Sequence, residues 1–211
     1  MKIPYLIEHF AVAVCAISGV LAARGKRVDL FGVVVLALAT ALGGGTLRDL
    51  CLGIQPVFWI KDPNYVVTAA VAAVVAFVVA RFKTLPANFL LVADACGLAL
   101  FTLVGMEIAI ARQSSGLIAI LMGVMTGVAG GIIRDVLSGE IPMVFRPDIF
   151  LYATAALIGA AGFFLLEHFW PGAAANRFIA MALILALRLA AIQWRIVLPI
   201  FKHRDDHRDE G

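Results

Sequence analysis

The chain has 211 residues, a mass of 22.5 kDa and a formal net charge of +3. Hydrophobic residues make up 63% of it, charged residues 15%, and its mean hydropathy is +1.00, whereas a soluble domain is roughly 45–50% apolar and about 25% charged. This composition excludes a water-soluble enzyme and a disordered chain, and the small net charge gives no support to nucleic-acid binding. The 3 cysteines lie in apolar surroundings without metal-site spacing, which indicates packing. We expect an integral membrane protein with no enzyme activity and no cofactor.

A helix needs about 20 mostly apolar residues to cross a hydrocarbon core of ~30 Å. Such segments recur along the chain, and strand-length segments of alternating polarity are absent. The predicted fold is therefore an all-α membrane protein with seven transmembrane helices. The predicted spans lie at roughly 4–23, 30–50, 64–82, 88–110, 116–137, 149–169 and 177–199.

Lysine and arginine are more frequent in the segments that share a side with the C-terminus. By the positive-inside rule, this distribution places the N-terminus outside the cell and the C-terminus in the cytoplasm. Residues 202–211 are then a charged cytoplasmic tail. The protein is expected in the cell membrane.

The sequence matches itself without gaps at an offset of 86 residues, so that Gly44 and Gly45 fall on Gly130 and Gly131. The shared string is G-G-x-x-R-D-x-x-x-G-x-x-P, and apolar composition alone does not align arginine, aspartate and proline together. Three crossings in each unit invert the second unit relative to the first, and such proteins place their site where the repeats meet. The predicted units are a first three-helix repeat at 4–83, a second at 88–169 and a seventh helix at 177–200.

Glycine runs lie in the middle of the second and fifth spans. The apolar segment from Leu30 to Ile60 would be about 45 Å long as one helix, which exceeds the hydrocarbon core. A break is therefore expected at Gly43-Gly44-Gly45 and, in the second repeat, at Gly130-Gly131. Carbonyls freed by such breaks cannot face lipid and would line a water-filled path. Small residues four apart also let helices pack closely, and we expect both roles together.

An arginine–aspartate pair follows each glycine run, and charges at this depth mark functional sites. Neighbouring residues on a helix point about 100° apart, so Arg48 is not expected to pair well with Asp49. The pseudo-symmetry instead favours pairing between the repeats, Arg48 with Asp135 and Arg134 with Asp49. A purely structural role, in which these pairs only fasten the two halves together, is the alternative.

Other ionisable residues also lie within the spans. Glu8 and Asp94 occupy equivalent positions near the starts of the first and fourth spans. Either they lie at opposite mouths of a path or their side chains reach toward the membrane interface, and the second interpretation is favoured. Glu107 and Arg188 have no repeat partner of the same charge. Arg188 is expected to face protein, and the sequence does not identify its partner.

The paired strings on a three-plus-three-plus-one scaffold resemble the prokaryotic members of the trimeric intracellular cation (TRIC) channel family, over about residues 5–200. The resemblance implies a homotrimer in a prokaryotic plasma or inner membrane. It implies that each subunit has its own pore for monovalent cations, chiefly potassium, lined by the kinked second and fifth helices. The kinks correspond to Gly43–Gly45 and to Gly130–Gly131, and they are expected to differ because Ala129 stands where the first repeat has Gly43.

Two functions use this pattern. In a channel, oxygen ligands would come from the opened glycine carbonyls, from Thr46 and Ser138, and from Asp49 and Asp135. A site for a monovalent cation, potassium or sodium, is accordingly placed at Gly43, Gly44, Gly130, Asp49 and Asp135. In a small amino-acid carrier for glycine, an arginine or a helix N-terminus would hold the substrate carboxylate while the repeats rock. The channel is favoured through the resemblance, with bound lipid left open.

Overall fold

The computed structural model describes residues 5–83, 86, 88–146 and 151–196. Seven of the helices in this described part are long and apolar enough to cross a membrane, which confirms the predicted all-α fold. In chain order the helices are α1 (Tyr5–Ala22), α2 (Leu30–Cys51), α3 (Phe58–Lys61), α4 (Asn64–Phe82), α5 (Phe89–Ala111), α6 (Gly116–Leu137), α7 (Tyr152–Phe169) and α8 (Ala174–Trp194). A 3₁₀ turn at Met143–Phe145 lies between α6 and α7.

The seventh span differs from its prediction, because α8 begins at Ala174 rather than at residue 177 and ends at Trp194. Its first turn contains the polar residues Asn176 and Arg177, and the predicted start at 177 leaves out Asn176. Both side chains are buried, and Arg177 Nε lies 3.4 Å from Glu107 Oε1. The predicted start of the sixth span at 149 and the predicted tail at 202–211 lie outside the described residues.

The prediction of a helix break at each glycine run is wrong. Helix α2 is continuous through Gly43–Gly45, and α6 is continuous through Gly130–Gly131. Each helix has 22 residues and extends about 33 Å at ~1.5 Å per residue, which fits the hydrocarbon core. The apolar segment that starts at Leu30 is interrupted later, after Cys51, so its length required no break at the glycines.

Helices α2 and α6 end in the same way, 86 residues apart. Gly53 and Gly139 adopt positive φ angles of +63° and +74° just beyond the two helices. The N–H of the residue after each glycine donates to the carbonyl of Asp49 or Asp135, at 2.7 and 2.8 Å. This is the Schellman arrangement, in which glycine takes the left-handed conformation that stops a helix. The last glycine of the shared string therefore ends the helix and turns the chain.

The centre of the molecule is formed by α1, α2, α5 and α6, which contact one another. Helix α4 packs on α1 and α2, while α7 and α8 pack against each other and against α5. The outward side of α4 carries the exposed apolar residues Val67, Val71 and Val75, which suit contact with lipid. We call the membrane face where α1 begins the near face, and the face where α1 ends at Ala22 the far face.

Candidate functional site

Where α2 and α6 cross, the main chain of one helix lies directly against the main chain of the other. A Cβ atom on Gly130 would lie 2.5 Å from the carbonyl oxygen of Thr40, and a Cβ atom on Gly44 would overlap the carbonyl oxygen of Thr126. Ordinary contacts begin at 3.4 Å, so neither position accommodates a side chain at this separation of the helices. The glycines are 86 residues apart, and so are the threonines. The contact is therefore reciprocal about the pseudo-two-fold axis between the repeats, and it follows the small-residue packing of membrane helices.

The other glycines of the two runs also make room for neighbouring side chains. Their ideal Cβ atoms would each lie 2.5 Å from an atom of another residue: Gly43 from Ile133, Gly45 from the ring of Phe58, and Gly131 from the hydroxyl of Tyr152.

Three cavities follow one another along α2. The near cavity, of about 460 Å³, opens at the near face and has Arg48 in its wall. The far cavity, of about 240 Å³, opens at the far face and is lined by Lys26, Leu36 and Ser138 among others. Between them, beside Thr40, lies a central cavity of about 10 Å³, which is enough for about one water molecule. The crossing of α2 and α6 thus separates two wide cavities by a narrow one.

Polar side chains from four helices line the central cavity. They are Ser18 of α1, Thr40 of α2, Asp94 of α5 and Thr126 of α6, and all are buried. The two threonine hydroxyls donate to the carbonyl four residues earlier, at 2.7 and 2.5 Å. Each hydroxyl oxygen keeps its capacity to accept a hydrogen bond. The thiol of Cys15 also lines the central cavity.

The predicted pairing between the repeats is wrong, because each arginine binds the aspartate next to it in sequence. Arg48 Nε and Nη2 donate to Asp49 Oδ1 at 2.9 and 2.7 Å, and Arg134 Nε donates to Asp135 Oδ1 at 2.8 Å. The long arginine side chain curls back at the helix end, which offsets the angle between neighbouring positions. The second oxygen of each aspartate accepts a backbone N–H that follows the helix, from Phe58 or from Met143, both at 2.8 Å.

Arg134 makes further side-chain contacts, and Arg48 has no equivalent of them in the described part of the chain. Its Nη1 donates to Asp94 Oδ1 at 2.6 Å and to Ser18 Oγ at 2.7 Å. The Arg134 side chain is fully buried and that of Asp94 is nearly so. A buried guanidinium requires this number of charged and polar acceptors, because an unpaired charge at this depth is strongly unfavourable.

The partner of Arg188 that the sequence did not identify is Asp94. Arg188 Nη2 lies 3.8 Å from Asp94 Oδ2, and its guanidinium carbon lies 4.8 Å from the centre of the Tyr152 ring. The Tyr152 hydroxyl also donates to Asp94, at 3.3 Å. The interpretation of Asp94 as a residue that reaches the membrane interface is therefore wrong, since it lies between two buried arginines.

The first repeat has a similar tyrosine–acid pair at the near face, where Tyr65 donates to Glu8. Glu8 lines the near cavity. Close by, the Tyr5 hydroxyl donates to Asp62 Oδ2 at 2.7 Å and the N–H of Asn64 donates to Asp62 Oδ1 at 3.0 Å. These hydrogen bonds, the tyrosine first, hold the pKa of Asp62 below its usual range. Asp62 therefore carries a negative charge beside the near cavity at neutral pH.

The ligands predicted for a cation site do not come together. Thr46 donates to the carbonyl of Leu42 at 2.7 Å and accepts from the Trp59 indole at 2.9 Å, whereas Ser138 lies at the far end of α6. Asp49 and Asp135 are engaged by guanidinium and backbone donors, as described above. The carbonyls of Gly43, Gly44 and Gly130 belong to continuous helix. The arrangement expected for that site is thus absent from the described residues.

Three polar residues of the central cavity were not identified from the sequence, namely Ser18, Thr40 and Thr126, and Asp94 was identified without its role. The two threonines carried a signal, because they are identical residues at the 86-residue offset within otherwise apolar helices. The role of Asp94 carried none, since its partner Arg134 is 40 residues away in the chain.

The comparisons with known proteins agree with this architecture. The family described as glycine transporter matches the chain twice, over residues 5–81 and 91–168. A UPF0126 membrane protein of Vibrio cholerae is 49% identical, over 93% of this chain and 82% of that protein. The UPF0126 inner membrane protein YadS of Escherichia coli is 46% identical, over 93% of this chain and 95% of that protein.

Among solved structures, a TRIC trimeric intracellular cation channel orthologue from Rhodobacter sphaeroides matches with a TM-score of 0.84 at 40% identity, over 90% of this chain and 96% of that chain. This chain belongs to the TRIC channel family. A second TRIC cation channel structure matches with a TM-score of 0.84 at 33% identity, over 95% of this chain and 98% of that chain. The TRIC likeness therefore extends across both repeats, and the seven spans together with the inner-membrane relative indicate a multi-pass inner-membrane protein.

Proposed function

We propose that this protein is a channel for monovalent cations, potassium or sodium, and that each subunit of a homotrimer has its own path along α2 and α6. The observation that carries the proposal is the row of three cavities, in which two wide cavities open at opposite faces and the central one lies between them. The solved relatives are described as TRIC cation channels. The lysine and arginine distribution supports an N-terminus outside and a C-terminus in the cytoplasm.

The central cavity sets the condition for conduction. A volume of about 10 Å³ holds one water molecule, so a cation passes only when α2 and α6 separate at Gly44 and Gly130. Separation exposes the carbonyls of Thr40 and Thr126, which oppose these glycines. Carbonyl and hydroxyl oxygens replace part of the hydration shell of a cation. The neighbouring guanidinium of Arg134 does not repel the cation strongly, because Asp94 and Asp135 together balance the charges of Arg134 and Arg188.

Currents across planar bilayers test the channel. Purified protein should give unitary potassium currents with a reversal potential that follows the cation gradient. Transport without any unitary current, at every voltage and ionic condition that keeps the protein folded, would contradict the proposal.

The native thiol of Cys15 tests where the path runs, since Cys15 lines the central cavity. A variant with Cys51→Ala and Cys96→Ala retains Cys15 as its sole cysteine. Silver ion, a thiophilic monovalent cation, should block its potassium current, whereas the matched variant that also carries Cys15→Ala should be insensitive. Equal block of both variants would place the path elsewhere.

A glycine carrier is the second candidate, favoured by the description of the matching family. The near cavity has both charges that a zwitterion needs, with Arg48 and Arg112 beside Glu8 and Glu107. Proteoliposomes loaded with glycine distinguish the two functions. Saturable counterflow of labelled glycine, without current, would favour the carrier over the channel.

A further inference from the structure

The far cavity has a lysine at its mouth. Lys26, in the turn between α1 and α2, donates from Nζ to the carbonyl of Ser138 and to Glu140 Oε1, the latter at 2.8 Å. Ser138 directly follows the last residue of α6, and both Lys26 and Ser138 line the far cavity. The contact therefore joins a turn of the first repeat to a helix end of the second repeat across this opening.

The two acceptors of Lys26 are the kinds of oxygen that bind monovalent cations. The last carbonyls of a helix carry a partial negative charge, and carbonyl and carboxylate rings coordinate ions in cation channels. Arg146 fixes the carboxylate from its other side, through Nη2 to Glu140 Oε2 at 2.9 Å and Nε to the carbonyl of Ile141 at 2.7 Å. Lys26, followed by Arg146, holds the pKa of Glu140 below its usual range, so Glu140 is ionised at neutral pH.

Among the described residues the near face lacks this contact, although the repeat supplies equivalent positions. At the 86-residue offset, Lys26 corresponds to Arg112 and Glu140 corresponds to Ile54. Both Arg112 and Ile54 line the near cavity, but an apolar side chain offers no acceptor to the arginine. The lysine contact is thus a feature of one mouth and does not follow from the duplicated fold itself.

We propose that the carbonyl of Ser138 and the carboxylate of Glu140 form a monovalent-cation site at the far mouth, and that the ammonium group of Lys26 occupies it as an internal competitor. Withdrawal of Lys26 exposes the site to a permeant ion such as potassium and opens the far cavity. The inference rests on the proposed channel function for its effect on current, and the site itself is measured independently below.

Potassium currents of Lys26→Gln, with Arg27→Gln as the matched control, test the effect on conduction, since Arg27 is an exposed cation next to Lys26 in the same turn. Lys26→Gln should raise the open-channel current or open probability roughly two- to five-fold, the shift in equilibrium that accompanies loss of a partly exposed ion pair. Arg27→Gln should behave as the wild type. If the Lys26→Gln protein forms a channel whose potassium current equals that of the wild type, the role of Lys26 in conduction is overturned.

Thallium(I), which scatters anomalously and substitutes for potassium, tests the site without reference to current. Crystals of Lys26→Gln soaked in thallium nitrate should show an anomalous peak within coordination distance of the Ser138 carbonyl, and wild-type crystals should not. The double variant Lys26→Gln with Glu140→Gln should lose the peak. If Lys26→Gln does not fold, Lys26→Ala replaces it in the same crystals. No peak in any lysine variant overturns the inference even if the channel conducts, whereas a peak in a protein without current would refute only the proposed function.

Discussion

Replacing Gly130 by alanine measures how tightly the crossing of α2 and α6 is packed. The new Cβ atom would lie 2.5 Å from the Thr40 carbonyl oxygen, and ordinary contact begins at 3.4 Å, so the carbonyl must move by about 0.9 Å. Because this oxygen belongs to the main chain of α2, the helix must move with it. Overpacking costs about 1–3 kcal/mol, and alanine in place of glycine returns about 1 kcal/mol of helix propensity. Because the carbonyl is held in the helix, the overpacking cost falls in the upper part of its range. After the gain in helix propensity is subtracted, we expect the free energy of unfolding to fall by about 1–2 kcal/mol.

The free energy of unfolding in mixed micelles, titrated with sodium dodecyl sulfate, is the appropriate assay. Gly162→Ala in α7 is the matched control, because its Cβ atom would lie 3.5 Å from Leu183, an ordinary contact. This control should be as stable as the wild type or more so. A Gly130→Ala variant as stable as the control would refute the reasoning, since it would mean that the two helices are not in contact at this point.

The reciprocal geometry adds a second test to the same experiment. Gly44→Ala should be destabilising for the same reason, because its Cβ atom would overlap the Thr126 carbonyl oxygen. The double variant with Gly130→Ala should lose less than the sum of the single losses, by at least about 0.5 kcal/mol, because one displacement of the helices relieves both overlaps. Strict additivity would show that the two contacts are independent.

Three further predictions concern charge and backbone. Arg134→Gln should cost about 3–5 kcal/mol, because it leaves Asp135 without its guanidinium partner and Asp94 with only the more distant Arg188. Arg48→Gln should cost less because it affects one acid, and equal losses in the same unfolding titration would contradict this. Lowering the pH on the far side should raise the potassium current once the pH falls through the pKa of Glu140, which lies below its ordinary 4.5. Protonation at that pH removes the carboxylate charge that holds Lys26. The current of a Glu140→Gln channel should not respond to the same change in pH. Gly139→Ala should cost about 1–2 kcal/mol through its φ of +74° alone, because no atom of the described residues lies within 4 Å of its Cβ position. Gly139→Asn should recover part of that loss.

The spans were predictable from sequence because their signal is local. Apolar length and flanking polar residues placed α4 at 64–82 and α6 at 116–137, the bounds that the structure shows. The predicted start of α8 came too late because Asn176 is polar by type yet buried, with its Nδ2 donating to Glu167 Oε1 at 2.7 Å. Hydropathy scores a residue by itself and does not include the partner that makes its burial favourable.

The glycine runs and charged pairs could be located but not interpreted from sequence alone. The same glycine favours a helix break or a close helix crossing, and only the neighbour opposite Gly44 decides between them. Likewise, angular spacing on a helix excluded the contact of Arg48 with Asp49, although a long side chain at a helix end reaches its neighbour. The environment of Asp94 depends on helices that are distant in the chain, so no local pattern could predict it.

The main-chain contact between Gly44 and Gly130 has a consequence for how the protein can vary. Peptide groups have the same polarity whatever residues flank them, so a seal built from them keeps its chemistry through many substitutions. Residues that line the near and far cavities are not under that steric requirement. Drift in sequence can therefore change which solutes gather at each entrance while the barrier between the two compartments stays the same.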